Sequence, residues 1–217
     1  MSDEAEADEP RRVIAYVDGF NLYYGIMDKG WGRYRWLDVR ALIAAFIRPP
    51  QTLVTVHYFT ARSTNPPDRY KRHTTYLNAL QRSTDIQVTE GTMLSRPRSC
   101  PNCGHRWNRN QEKQTDVGIA VAMLMDATES RADEMFLLSA DSDLIPVVSL
   151  LQGRLGVPVT VLDPPRRHSS ELAQTASRRL HIARSKLAQA QLPDPVAYQH
   201  RDKDRLIHRP VEWAPDD

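Results

Sequence analysis

Five polar residues in three separated segments are of the types that bind cations. Asp18 and Asn21 stand in Val17-Asp18-Gly19-Phe20-Asn21-Leu22, Asp116 in Glu112-Lys113-Gln114-Thr115-Asp116-Val117, and Asp141 and Asp143 in Leu138-Ser139-Ala140-Asp141-Ser142-Asp143-Leu144. Singly, each acid has an ordinary role. Asp18-Gly19 makes a tight turn, Asp116 is favoured by the dipole at a helix start, and Asp141 and Asp143 can cap the helix that follows. Brought to one place, four carboxylates repel one another, and their pKa values rise unless cations compensate. Mg²⁺ or Mn²⁺, hard ions that take a few carboxylates and keep several waters, meet that need. Asp18, Asp116, Asp141 and Asp143 are therefore the candidate metal ligands. Asn21, three residues after Asp18, points the same way on a helix. Asp126 lies ten residues past Asp116, about 15 Å along a helix, and is expected to stay outside the group.

A second constellation is Cys100-Pro101-Asn102-Cys103-Gly104-His105, which resembles one knuckle of a zinc ribbon. Cys100, Cys103 and His105 are candidate ligands for a structural Zn²⁺, but a closed site needs four and no second CxxC is present. Two free thiols or a labile disulfide are the competing readings. Bases and aromatics also cluster. Arg62, Arg69, Lys71 and Arg72 accompany Tyr70 and Tyr76, and Arg96, Arg98, Arg106 and Arg109 surround Trp107. Guanidinium groups hold phosphates and rings stack unpaired bases, so Arg69, Lys71, Arg72, Arg106, Trp107 and Lys113 are the candidate RNA contacts. A third basic group, from Arg166 to Lys186, is expected to be partly the wet face of an amphipathic helix.

These residues need elements to carry them. Uncharged stretches, the first of them rich in β-branched residues, predict strands at 13–17, 53–59, 86–89, 135–138 and 157–162. Helical patterns fall between them. Asp38 caps one that ends at Pro49-Pro50, Pro66 and Pro67 open another, and 117–125 is apolar almost all round. Others are expected near 142–152 and over 170–189. Strands alternating with helices predict an α/β fold with a parallel sheet covered on both faces. In such sheets ligands gather at the carboxyl ends of the strands where the strand order reverses. Asp18 follows the first strand and Asp141 the fourth, and the long 95–112 loop can carry Asp116 to the same edge.

The 217 residues, 41% apolar and 26% charged, fit one domain with some tail. The expected division is an acidic leader over 1–10, the folded domain over 11–180, and a helix end with an extended tail over 181–217. The leader holds Asp3, Glu4, Glu6, Asp8 and Glu9 and no base, so the rest of the chain carries +7 against a total of +2. That excess suits a polyanionic partner. No apolar stretch is long enough to cross a bilayer and the start is not basic, so no membrane partner and a cytoplasmic location are expected.

The three acidic segments, in their order and spacing, resemble the motifs of the NYN domain, a branch of the PIN-like nuclease superfamily. The resemblance covers about residues 12–180. It implies a three-layer sandwich around a mostly parallel five-stranded sheet, and a metal-dependent ribonuclease site. In that site Asp18, Asp116, Asp141 and Asp143 are the acidic residues, with Asn21 and Ser139 as polar supports. The reaction it implies is hydrolysis of phosphodiester bonds in single-stranded RNA, assisted by Mg²⁺ or Mn²⁺. Many relatives carry a further acid where this chain reads Ala120-Val121-Ala122-Met123. Two alternatives stay open: an RNA-binding module without catalysis, and an oxidoreductase acting on a small aromatic substrate, since some relatives with the same opening motif are associated with such chemistry. A homodimer through the C-terminal helix or the cysteine loop is compatible with the sequence.

Overall fold

The computed structural model describes residues 9–62 and 66–214, and of residues 95 and 108–112 the backbone alone. Most of the expected acidic leader lies outside these residues. The chain opens with β1 (Arg11–Asp18), α1 (Gly19–Asp28), α2 (Val39–Ala44), β2 (Gln51–Ala61) and α3 (Pro67–Ser83). Then come β3 (Gln87–Ser99), β4 (Arg106–Lys113), α4 (Thr115–Thr128), β5 (Glu134–Leu138), α5 (Ile145–Arg154) and β6 (Val159–Asp163). The last third holds α6 (Ser170–Thr175), β7 (Arg178–His181), α7 (Arg184–Gln189), β8 (Val196–His200) and β9 (Lys203–Ile207).

The main sheet has the order β4-β3-β2-β1-β5-β6-β7, with every neighbouring pair parallel except β3 and β4. All five expected strands are present in it. β1 is buried on both faces because successive side chains point to opposite sides. Val13, Ala15 and Val17 join a core layer under α1, α2, α3 and α7, while Ile14 and Tyr16 join one under α4, α5 and α6. The result is the expected α/β three-layer sandwich. Asp38 caps α2, accepting from the Ala41 N–H at 2.8 Å.

Four local expectations are corrected. The 95–112 loop is a β-hairpin: β3 runs on past the sheet and β4 returns along it, with Thr92 opposite Lys113 and Ser99 opposite Arg106. Pro97 and the many charges hide the strand pattern there. The helix expected over 170–189 breaks at Ala176, whose ψ of 149° is extended, and β7 takes the sheet edge beside β6. Arg178 and Arg179 thus lie on a strand, where they meet the buried acids Glu134 (3.6 Å) and Asp163 (2.6 Å). The α4 surface is not covered all round, since Val117, Val121 and Met125 are exposed. Finally, the segment after residue 192 is no extended tail. β8 and β9 form a hairpin, and Trp213 is buried against Trp36 and Tyr76 with ring centroids 6.5 and 5.9 Å away.

Candidate metal centre and the cavity beside it

Asp18 ends β1, the strand at which the chain's path across the sheet reverses: β2 and β3 lie on one side of it, β5, β6 and β7 on the other. This is the crevice where open α/β sheets bind ligands. Asp18 is 3% exposed and caps α1, with Oδ1 accepting from the Asn21 N–H at 2.9 Å and Oδ2 from the Asn21 side-chain amide. The Ser139 hydroxyl, just past β5, also donates to Oδ2 at 3.2 Å and accepts from the Asp141 N–H at 3.1 Å. Asp141 in turn accepts from the Asp143 N–H at 2.9 Å. One chain of hydrogen bonds therefore runs from Asn21 through Asp18 and Ser139 to the Asp141–Asp143 turn.

The β3–β4 hairpin delivers the fourth acid. Asp18 is level with Phe59, Phe59 with Thr89, and β4 ends opposite Thr92, so α4 starts just beyond the level of Asp18. Gln114 makes the turn in the left-handed region, at φ 79°. Asp116, in the first turn of α4, has its pKa pushed up to about 6, by burial first and then by the charges of Asp141, Asp18 and Asp143. Burial also raises the Asp18 pKa, with Asp141 adding to it and the bonds from Asn21 and Ser139 opposing it. Asp116 thus feels the charges of the other three acids, and Asp18 that of Asp141. Asp126 contributes nothing to this: it is buried and held by the Tyr16 hydroxyl at 2.7 Å, His57 at 3.3 Å and Arg131 at 3.2 Å.

Among the described residues, no three His, Cys, Asp or Glu side chains are already closed around one ion position. The donor set nevertheless fits Mg²⁺ or Mn²⁺ in kind. It is all oxygen, it is mutually repelling without a cation, and such ions use one or two carboxylates and fill the remaining positions with water.

At the hairpin tip, backbone N–H groups of Cys103 and Asn102 and the Cys103 thiol hold the Cys100 thiol below its usual pKa. His105 does not complete a three-ligand group with them: its ring stacks on Trp107, 6.1 Å between centroids and 18° between planes. The pair alone supplies half of a closed zinc site.

The expected RNA contacts divide. Arg106, Trp107 and Lys113 are exposed along β4, and Lys71 is exposed on α3. Arg72 pairs with Glu212 at 3.0 Å, and Arg62 with Glu90 at 2.6 Å. Arg69 donates to the Tyr24 hydroxyl at 3.3 Å and lies over the Tyr23 ring. Among the described residues no carboxylate is within ion-pair distance of Arg69.

Arg69 stands at a cavity of about 310 Å³ that sequence reasoning did not identify. Its walls come from α1, β2, α3, β3 and the C-terminal segment, and include Phe20, Tyr23, Tyr24, Tyr58, His73 and Trp213. One signal was legible: Phe20, Tyr23 and Tyr24 fall at helical i, i+3 and i+4 directly after Asp18-Gly19. Gly19 makes the wall possible. A Cβ there would sit 2.6 Å from the Tyr58 ring and 2.7 Å from the Phe59 carbonyl oxygen. Gly19→Ala is expected to destabilise the fold by about 1–3 kcal/mol through overpacking. A thermal-unfolding midpoint equal to that of the parent protein would contradict this close packing.

His73, within hydrogen-bond reach of Thr60 Oγ1 at 3.4 Å, has its pKa lowered to about 4, by burial first and then by the charge of Arg62. The unfolded chain holds this proton below about 6.5 while the folded one does not until about 4. The His73 contribution to stability is therefore intact above 6.5 and falls as the pH drops through that window. His73→Gln is expected to flatten the acid side of the stability curve, measured by urea unfolding at pH 5 and pH 7; an unchanged slope would place the titration elsewhere.

The same architecture occurs in solved structures. A protein of unknown function, VPA0982 from Vibrio parahaemolyticus RIMD 2210633, matches with a TM-score of 0.54 at 22% identity, over 82% of this chain and 97% of its own. In sequence, the chain is 28% identical to 6-hydroxy-3-succinoylpyridine 3-monooxygenase HspA of Pseudomonas putida (strain DSM 28022 / S16), over 85% of this chain and 71% of that protein. It is 24% identical to the low amplitude and bright protein LabA of Synechococcus elongatus (strain ATCC 33912 / PCC 7942 / FACHB-805), over 87% of this chain and 94% of that protein. Residues 12–183, which hold all the acidic motifs, match the NYN domain model, and the chain belongs to the NYN domain family.

Proposed function

We propose that this protein is a divalent-metal-dependent ribonuclease that hydrolyses phosphodiester bonds in single-stranded RNA, acting in the cytoplasm. The observation that supports the reading is the geometry at the end of β1, where Ser139 links Asp18 to the Asp141–Asp143 turn and α4 starts, with Asp116 in its first turn, just beyond the level of Asp18. Asp18 and Asp141 would hold Mg²⁺ or Mn²⁺ directly, and Asp116 and Asp143 directly or through water. A bound ion of this type supplies an acidified water and neutralises charge on a leaving oxygen. The chain's own residues do the positioning. Asn21 and Ser139 fix the Asp18 carboxylate, and the exposed cations Lys71, Arg106 and Lys113 hold the polyanion, with Trp107 available for stacking.

The test is cleavage of end-labelled single-stranded RNA. Products are expected with Mn²⁺ and none with excess chelator, and binding should fall roughly 20-fold between 50 and 200 mM salt if these three cations engage phosphates. RNA left intact with Mg²⁺, Mn²⁺ or Co²⁺ would overturn the reading. A second reading, chemistry on a small aromatic molecule, is favoured by the ring-lined cavity and by the monooxygenase name of the Pseudomonas relative. A third, RNA binding without catalysis, is favoured by the missing acid at 120–123.

A further inference from the structure

The cavity between α1 and α3 has three properties that together describe a ligand. Its walls are aromatic: Phe20, Tyr23 and Tyr24 line it and are only partly buried, with the Arg69 guanidinium over the Tyr23 ring and that of Arg167 over the Tyr24 ring. Its volume, about 310 Å³, is at the small end of ligand sites, enough for one planar ring and a substituent but not for a stack. Its rim carries Arg69, a guanidinium whose described partners are a tyrosine hydroxyl and a tyrosine ring. A guanidinium without a carboxylate retains its fork of donors for an anion. His73, kept neutral in the wall, adds a hydrogen-bonding edge rather than a charge. The cavity also adjoins the acidic edge, because Gly19 and Phe20 in its wall directly follow Asp18.

We propose that this cavity seats one unstacked nucleobase of the RNA, with a flanking phosphate on Arg69, so that the enzyme reads a single nucleotide beside the bond it cuts. This rests on the ribonuclease reading, but the pocket can be tested without catalysis. Rings stack on aromatic side chains in this way wherever single strands are bound. A base held next to Asp18 places its backbone phosphate at the carboxylate edge.

The full-length protein, free of divalent ions, is titrated with each of the four ribonucleoside 5′-monophosphates while tryptophan fluorescence is followed, Trp213 being the reporter in the wall. Ribose 5-phosphate and nicotinate are titrated as comparisons. The expected result is saturable quenching by at least one nucleotide, at least tenfold tighter than by ribose 5-phosphate or nicotinate. Arg69→Ala should weaken it tenfold or more and Arg69→Lys partly restore it, with thermal unfolding showing that both variants fold. No saturable nucleotide binding overturns the proposal, as does nicotinate binding tighter than every nucleotide, which assigns the cavity to a small aromatic acid instead. Nucleotide binding together with RNA that stays intact under Mn²⁺ overturns the ribonuclease reading and leaves the base pocket standing.

Discussion

Asp18→Asn is expected to lower RNA cleavage on the order of a thousandfold, about 4 kcal/mol of transition-state stabilisation, while the protein stays folded. Asparagine caps helices as well as aspartate does, so the bond from the Asn21 N–H survives. The Asn21 amide can turn to offer its oxygen to the new amide, and Ser139 can accept where it formerly donated. The charge, and with it the attraction for a cation, is what the substitution removes. A second consequence follows from the Asp116 pKa of about 6, which Asp18 helps to raise. Between the ordinary carboxylate range and pH 6 the folded protein holds that proton more tightly than the unfolded chain. Stability from this group is therefore greatest at low pH and is lost as pH rises to 6. With Asp18 neutralised, the Asp116 pKa should fall, visible by NMR of the carboxyl carbon, and the metal-free variant should unfold no earlier than its parent at pH 7. Cleavage by Asp18→Asn within tenfold of the parent would remove Asp18 from the chemistry.

Trp213→Ala is expected to cost about 3 kcal/mol of stability, in the range for deleting a large buried ring, and to lower Tm by roughly 6–12 °C in a chain of this length. Trp213 is 6% exposed, packs on Trp36 and Tyr76, and carries the Arg35 guanidinium 5.2 Å from its ring centroid. The loss spreads to the cavity, since Trp213 closes one side of it. Weaker nucleotide binding should therefore accompany the lower Tm. A variant as stable as the parent would mean that the C-terminal segment is not part of the core.

How much of this was legible depended on whether an element is specified locally. β1, β5 and β6 announce themselves as uncharged apolar runs because they are buried on both faces, and β2 does so through Leu53–Phe59, whose second half is largely buried. Asp18 and Asp141 are legible as site residues because they immediately follow such strands. β7 is different: Arg178-Arg179-Leu180-His181 has no strand signature, and its conformation comes from pairing with β6 and from the buried carboxylates of Glu134 and Asp163. Tertiary partners overrode the helical periodicity of 170–189. The β3–β4 hairpin was masked in the same way by Pro97 and its charges, although it is what brings Asp116 to the sheet edge. The cavity could not be read from spacing at all, because Phe20, Tyr58, Arg69 and Trp213 come from four distant segments. Only the α1 portion, three rings one turn apart, lay in a single stretch of sequence. At the hairpin tip, His105 stacks on Trp107, a tertiary contact that the spacing of Cys100, Cys103 and His105 does not reveal.

The central claim is that the four carboxylates hold divalent cations, and Mn²⁺ binding tests it most directly. The metal-free protein is titrated with Mn²⁺ and the bound fraction followed by electron paramagnetic resonance, in parallel with Asp18→Asn and Asp141→Asn. The expected result is one or two Mn²⁺ per chain, displaced by Mg²⁺ and weakened at least tenfold in each variant. Mn²⁺ that stays free at millimolar concentration, or that binds the variants as tightly as the parent, would contradict the account.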